Sequence, residues 1–238
     1  MPTFQHRSYK AELLDDPSMS ERDLRINLRE IDYINSRLGG DRLTVEGVDG
    51  MLSNYSGSLH IADVGCGSGN MLLMLQQALE SRGEQEVHYV GYDYNPTIVQ
   101  IAKEHCSQAK RVRIVEADAT KAEFERVQQG IAIMSLFLHH FNEEAIQAIL
   151  SSVHQAGYTD VLINDLHRHP IAWYGIRLLT FLFSKSKLTR HDAALSVLRG
   201  FKRKEWIAIL DACPFIASYS IQWVWAFRWK ITIHFKLL

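Results

Sequence analysis

The stretch Leu59-His60-Ile61-Ala62-Asp63-Val64-Gly65-Cys66-Gly67-Ser68-Gly69-Asn70 carries an apolar run into three glycines spaced two apart. Glycine is needed where the backbone turns sharply and a ligand must approach without a Cβ in the way. A helix begun there would aim free N–H groups at that ligand. Two acids add to the signal. Asp93 sits in Val90-Gly91-Tyr92-Asp93-Tyr94-Asn95-Pro96, and Asp118 in Glu116-Ala117-Asp118-Ala119. A carboxylate at the tip of a buried strand can accept two hydrogen bonds from vicinal ribose hydroxyls. A second can accept from an adenine amino group. Read singly, the glycines could make only a turn, and Asp93 could cap a helix entered at Pro96. Together, at three successive strand ends, they point to one nucleoside.

A second group is rich in histidine. His139 and His140 lie in Met134-Ser135-Leu136-Phe137-Leu138-His139-His140-Phe141, and His167 and His169 follow Asp165 in Ile163-Asn164-Asp165-Leu166-His167-Arg168-His169-Pro170. Histidine titrates near neutrality and suits removal of a hydroxyl proton. His139, His140 and His167 are therefore the candidate bases. His169, just before Pro170, is placed to cap a helix. These types also ligate metals.

The elements that must hold these residues alternate. The pattern predicts strands at Leu59–Val64, Val87–Tyr92, Val112–Glu116, Ile131–Leu136 and Val161–Asn164. Helices are predicted at Met71–Ser81, Pro96–Cys106, Ala122–Gln128, Glu143–Gln155 and Lys202–Ala212. Such alternation implies βαβ units and a parallel sheet covered on both faces. Residues 1–50 read as a helical cap. Pro17-Ser18-Met19-Ser20-Glu21 offers a start, with Ser20 as N-cap and Asp23 three residues on, and Gly39-Gly40 closes the segment. Ser218–Lys236 is strand-like, either one long strand or a hairpin turning near Ala226–Arg228. No Gly, Asn or Pro marks that turn.

Asp63-Val64-Gly65-Cys66-Gly67-Ser68-Gly69 resembles the first motif of class I S-adenosylmethionine-dependent methyltransferases. Tyr92-Asp93 resembles their ribose-binding acid, and Ala117-Asp118-Ala119 their adenine-side loop. The likeness covers residues 59–165. It implies an α/β, Rossmann-like doubly wound seven-stranded sheet with its last strand antiparallel. N-terminal helices and a helical lid insert at about 168–200 would be added to a methyltransferase domain over 51–238. It implies S-adenosyl-L-methionine as cofactor and S-adenosyl-L-homocysteine as product. The expected cofactor-binding set is Asp63, Gly65, Cys66, Gly67, Gly69, Asp93, Tyr94, Asp118, Ala119 and Ser135. Gly65 and Gly67 would approach the methionine part. Metal-dependent members rely on an acidic set that this sequence lacks, so no metal is expected.

Absences narrow the acceptor. The Asn/Asp-Pro-Pro-Tyr/Phe stretch of amine-methylating members is replaced here by Ser135-Leu136-Phe137-Leu138, and no cysteine stands near that strand for cytosine chemistry. Lys plus Arg total 26 against 27 Asp plus Glu, which gives no electrostatic footprint for nucleic acid. The expected acceptor is a small, fairly apolar hydroxylated molecule (phenolic, polyketide or quinone-like), methylated on oxygen. Two rivals stay open: a nicotinamide-dependent oxidoreductase and a catalytically silent S-adenosylmethionine-binding protein. Dinucleotide sites use G-x-G-x-x-G, whereas Gly67 and Gly69 are two apart.

The 238 residues suit one such domain with additions. Three widely spaced cysteines, Cys66, Cys106 and Cys213, and a start with no apolar signal region point to a cytoplasmic protein with reduced thiols. Ile171–Phe183 is the greasiest run, too short to span a membrane. Its apolar residues go almost all round a helix. That demands burial, a lid over the acceptor, a homodimer contact or a membrane-surface contact, the last not favoured.

Overall fold

The computed structural model describes residues 3–16, 18–80, 86–121 and 124–238. Seven strands form one sheet: β1 (Leu59–Val64), β2 (Val87–Asp93), β3 (Val112–Glu116), β4 (Gly130–Ser135), β5 (Asp160–Leu166), β6 (Ile216–Val224) and β7 (Arg228–Phe235). Their order is β3-β2-β1-β4-β5-β7-β6. β1 to β5 pair in parallel, and β7 runs antiparallel to both β5 and β6. The seven-stranded, doubly wound expectation is met, including the antiparallel last strand.

Successive residues of each strand feed opposite faces. Ile61, Ile131, Ile133 and Leu162 face one core with α2 (Gly40–Leu52), α3 (Asn70–Glu80) and α4 (Pro96–His105). Ala62, Val64, Met134 and Ile163 face the other with α5 (Glu143–Gln155) and α8 (Arg203–Asp211). A buried leucine or isoleucine here is worth about 2–5 kcal/mol against alanine.

α1 (Glu21–Arg37) begins at Ser20, whose side chain accepts from the backbone of Asp23, as the sequence predicts. Such a cap stabilises by about 1 kcal/mol. Pro17, Ser81 and Ala122–Glu123 lie outside the described residues. Gly39, at φ 78°, ends α1, but α2 starts at once and packs on the sheet. The division at residue 50 thus falls inside a helix that belongs to the domain core. α1 in turn packs Leu24 and Leu28 on Ile98 and Ile101 of α4.

Two sequence expectations change. Phe124–Gln128 is not helical; a short 3-10 turn over Ala119–Lys121 comes first, right after Asp118. The C-terminal stretch is a hairpin, β6 and β7 being joined through Trp225, Ala226 and Phe227. The expected insert is a helical pair, α6 (Pro170–Phe183) and α7 (Lys187–Arg199). His169 caps α6 by accepting from the backbone N–H of Ile171 at 3.2 Å.

Candidate functional site

β1 ends at Val64, and the chain must reverse before α3. The N–H groups of Gly65 and Cys66 both donate to the carbonyl of Tyr92, at 2.8 and 3.0 Å, tying the turn to β2. Gly65 has φ 77°, and a Cβ there would lie 2.2 Å from Phe137 Cδ2. Gly67, at φ 52°, has only Leu28 Cδ2 at 3.4 Å from such an atom, so its bare face borders open space. Its N–H donates to Asp93 Oδ2 at 3.2 Å.

A cavity of about 480 Å³ opens at these strand tips. Asp63, Gly65, Cys66, Gly67, Asp93, Tyr94, Asp118, Ala119 and Ser135 all line it. Gly69 does not. Its Cα side packs on Cys106, where a Cβ would fall 2.6 Å from the sulfur. Gly69 therefore serves the turn, and the cavity is shaped by the earlier glycines.

Three acids in this cavity are held away from water. Burial pushes the Asp63 carboxyl up to about 7, with the charges of Asp93 and Asp32 adding to the effect. Burial pushes Asp93 up to about 6, against the backbone N–H groups of Asn95 and Gly67 that favour its charge. Burial likewise raises Asp32 to about 6, although Ser68 Oγ donates to it at 2.7 Å. Asp118 differs. It stands at the open rim, accepts from the N–H and hydroxyl of Thr120 at 3.0 and 2.6 Å, and is held below the usual carboxylate range chiefly by that hydroxyl.

A second cavity, about 340 Å³, abuts the first. Leu14, Ile31, Asn35, Leu136 and His140 line both. Its walls come from α1, α6, α7 and the hairpin tip, and they are mostly aliphatic, including Ile34, Leu38, Leu166, Ile176 and Leu179. Polar side chains also reach it, among them Glu12, Asn27, His139, Thr189, Asp192 and Arg228. Arg228 is buried, its Nη1 donates to Asn164 Oδ1 at 3.1 Å, and its Nε has no partner among the described residues.

The candidate histidines part company. His139 is buried between carboxylates. Its Nδ1 lies 2.7 Å from Asp165 Oδ1, and its Nε2 lies 3.6 Å from Glu12 Oε1. Burial alone would lower its pKa; the facing charges of Asp165 and Glu12 outweigh that and raise it to about 9. His140 stands at the junction of the cavities, with Nδ1 3.4 Å from Asp15 Oδ1 and Nε2 3.9 Å from Glu12 Oε2. His167 joins neither cavity. It lines a separate groove with Phe4, Arg168 and Lys202, packs on Trp229, and is lowered to about 4 by burial and then by neighbouring cations.

Ligand-type atoms of Glu12, His139 and His140 lie within 4.8 Å of one another, a spacing that a metal ion could occupy. Here the carboxylate of Glu12 already faces cationic partners, including Arg199 Nε at 3.7 Å.

Glu12, Asp15, Asp32, Asn35 and Arg228 are site residues that the sequence reading missed. Asp32 and Asn35 interrupt the apolar series Leu24, Leu28, Ile31 on α1, whereas Arg228 falls on the polar phase of the Trp223–Ile233 alternation and so gave no signal. Those breaks were the available signal.

A family described as "Methyltransferase domain" matches residues 61–157. No curated protein sequence matches the chain. Among solved structures, plantazolicin methyltransferase BpumL in complex with SAH aligns at TM-score 0.62 with 14% identity, over 91% of this chain and 95% of that one. A SAM-dependent methyltransferase from Aquifex aeolicus aligns at 0.60 with 15% identity, over 88% and 98%. Human N-acetylserotonin methyltransferase in complex with SAM aligns at 0.61 with 19% identity, over 90% of this chain but 56% of that one. The chain thus spans little more than half the length of several structures that it matches. At these identities the likeness is one of fold.

Proposed function

We propose that this chain is a class I S-adenosylmethionine-dependent methyltransferase, a reading supported by the methyltransferase-domain match over residues 61–157 and by the shared fold, and that it methylates a hydroxyl oxygen on a small, largely apolar acceptor. The observation that carries this reading is the pair of abutting cavities. One is acidic and ends on three strand tips; the other is aliphatic; and they meet at Leu136 and His140.

The first cavity suits the donor chemically. Gly67 presents backbone where a Cβ would intrude. Among the described residues Asp93 accepts hydrogen bonds from the backbone N–H groups of Gly67 and Asn95, which leaves lone pairs for ribose hydroxyls. Asp118 at the rim would meet the adenine end. Buried Asp63 and Asp32 gain a counter-charge from a cationic ligand. When bound, S-adenosylmethionine supplies an electrophilic methyl group on a sulfonium and leaves as S-adenosylhomocysteine.

His140 is the proposed base. It borders both cavities, so a hydroxyl held against the donor site lies within its reach. Asp15 on the Nδ1 side and Glu12 on the Nε2 side orient the ring and stabilise the cation formed when it takes the proton. His139 lines only the second cavity and is held at 2.7 Å by Asp165, so it positions this segment instead. Arg228 offers an unpartnered donor to an oxygen function elsewhere on the acceptor.

The test is transfer of labelled methyl from the donor to a panel of apolar phenols and matched anilines. Labelled ether from phenols, and its loss by about a hundredfold or more in His140→Ala, is expected. Labelled product from anilines alone would overturn oxygen as the acceptor atom.

A further inference from the structure

α6 does not bury its apolar residues as its sequence demands. Trp173 and Thr180 face inward, but Ile171, Tyr174, Leu178, Phe181, Leu182 and Phe183 are each between 55% and 68% exposed. At spacings of three and four residues, most of these fall on one stripe. A monomer in water has no use for such a face.

Two further facts say what covers it. From Pro170 to Arg199 the exposed charges are Arg177, Lys185, Lys187 and Arg190, all cationic. The only acid in that span, Asp192, is buried and accepts from the N–H groups of Leu13 and Leu14. Glu30, the carboxylate that reaches this corner from α1, is taken by Ser184 and the backbone of Lys185. An aromatic and aliphatic stripe on a helix pair whose own exposed charges are all cationic matches an anionic lipid surface. It does not match a second copy, because a two-fold contact would set these cations against one another. The stripe is also continuous with the aliphatic cavity. Ile171 and Trp225 are both exposed and both line it.

We propose that the exposed face of α6 docks the protein on anionic phospholipid, with the mouth of the aliphatic cavity held at the lipid. Among the described residues no helix is long and apolar enough to cross a membrane, so the contact is peripheral. The docking stands on the stripe and its charges, not on the identity of the acceptor atom.

The experiment is vesicle flotation of the full chain. It compares phosphatidylcholine vesicles with vesicles in which about a third of the lipid is phosphatidylglycerol. Binding to the anionic vesicles, weakened by salt, is expected. It should fall at least tenfold in Leu178→Glu/Phe181→Glu and in Lys185→Glu/Lys187→Glu. Unchanged affinity of both variants for S-adenosylhomocysteine is the control for folding. No flotation of the wild type, flotation that neither variant reduces, or a dimer in light scattering that Leu178→Glu/Phe181→Glu dissolves would overturn the proposal.

Discussion

His139 and Asp165 form a buried ion pair in which Asp165 accepts twice, from the ring Nδ1 at 2.7 Å and from the backbone N–H of His139 at 3.0 Å. The carbonyl of His139 accepts in turn from Arg7 and Arg199, at 3.1 Å each. The segment that carries His140 is thus fixed by charged groups from the N-terminal stretch, β5 and α7. Its geometry depends on their ionisation.

The stability of this pair has a definite pH window. His139 has a folded pKa of about 9 against an ordinary 6.5. Its contribution is therefore complete below pH 6.5 and is lost as pH rises through about 9. Asp165 is held below its ordinary value, so its contribution is lost only in acid. Asp165→Asn should cost about 3 kcal/mol near neutrality, since it removes the nearer of the two carboxylates that face the buried imidazolium. It should also flatten the alkaline fall in urea-denaturation stability seen in the wild type.

Donor binding should strengthen as pH rises. Folded Asp63 keeps its proton up to about pH 7, whereas the unfolded chain releases it near 3.8. The free protein therefore loses stability across that window. A cationic donor relieves the charge, so the rise in melting temperature on adding S-adenosylmethionine should be larger near pH 8 than near pH 5. Asp63→Asn should remove most of that difference.

Asp93→Ala should weaken S-adenosylhomocysteine binding at least tenfold, about 1.4 kcal/mol, because charge-assisted hydrogen bonds to the sugar are lost. Calorimetric titration reads it directly. An unchanged affinity would remove Asp93 from the proposed ribose contact.

Gly65→Ala should damage the donor site more than Gly67→Ala damages the fold. Both glycines have positive φ, which strains an alanine at either, but at Gly65 the new methyl also meets the Phe137 ring. At Gly67 it meets little protein but enters the cavity. Both variants should lower donor affinity, and the first should lower the melting temperature more than the second, which adds backbone strain but no ring clash.

Arg228→Met should leave donor affinity intact and raise KM for the acceptor by about tenfold, the loss of one hydrogen bond to a charged group. Equal kcat/KM values in wild type and variant would show that the guanidinium only supports the hairpin.

The donor half of this site could be read from the chain because its residues follow strands in sequence. Asp63, Asp93 and Asp118 end β1, β2 or the turn after β3, and parallel pairing brings those ends together. The acceptor half could not. Glu12 and Asp15 reach His139 and His140 across more than a hundred residues of chain, and Arg228 arrives from β7, the antiparallel strand beside β5. Neighbourhood in sequence misled as well. His167 lies two residues from Asp165 yet turns to Trp229 and a different groove once β5 has ended. The turn at Trp225–Phe227 carries none of the residues that ordinarily announce one.

That hairpin tip forms part of the aliphatic wall, at the end of strands that pair from Ile216 through Arg228 and lean on β5. None of its three residues borders the nucleoside side. If the aliphatic cavity holds the acceptor, as proposed, its preference can be retuned at Trp225, Ala226 and Phe227 while the proposed donor site stays constant. A family built on this scaffold could diversify its products by rewriting three letters.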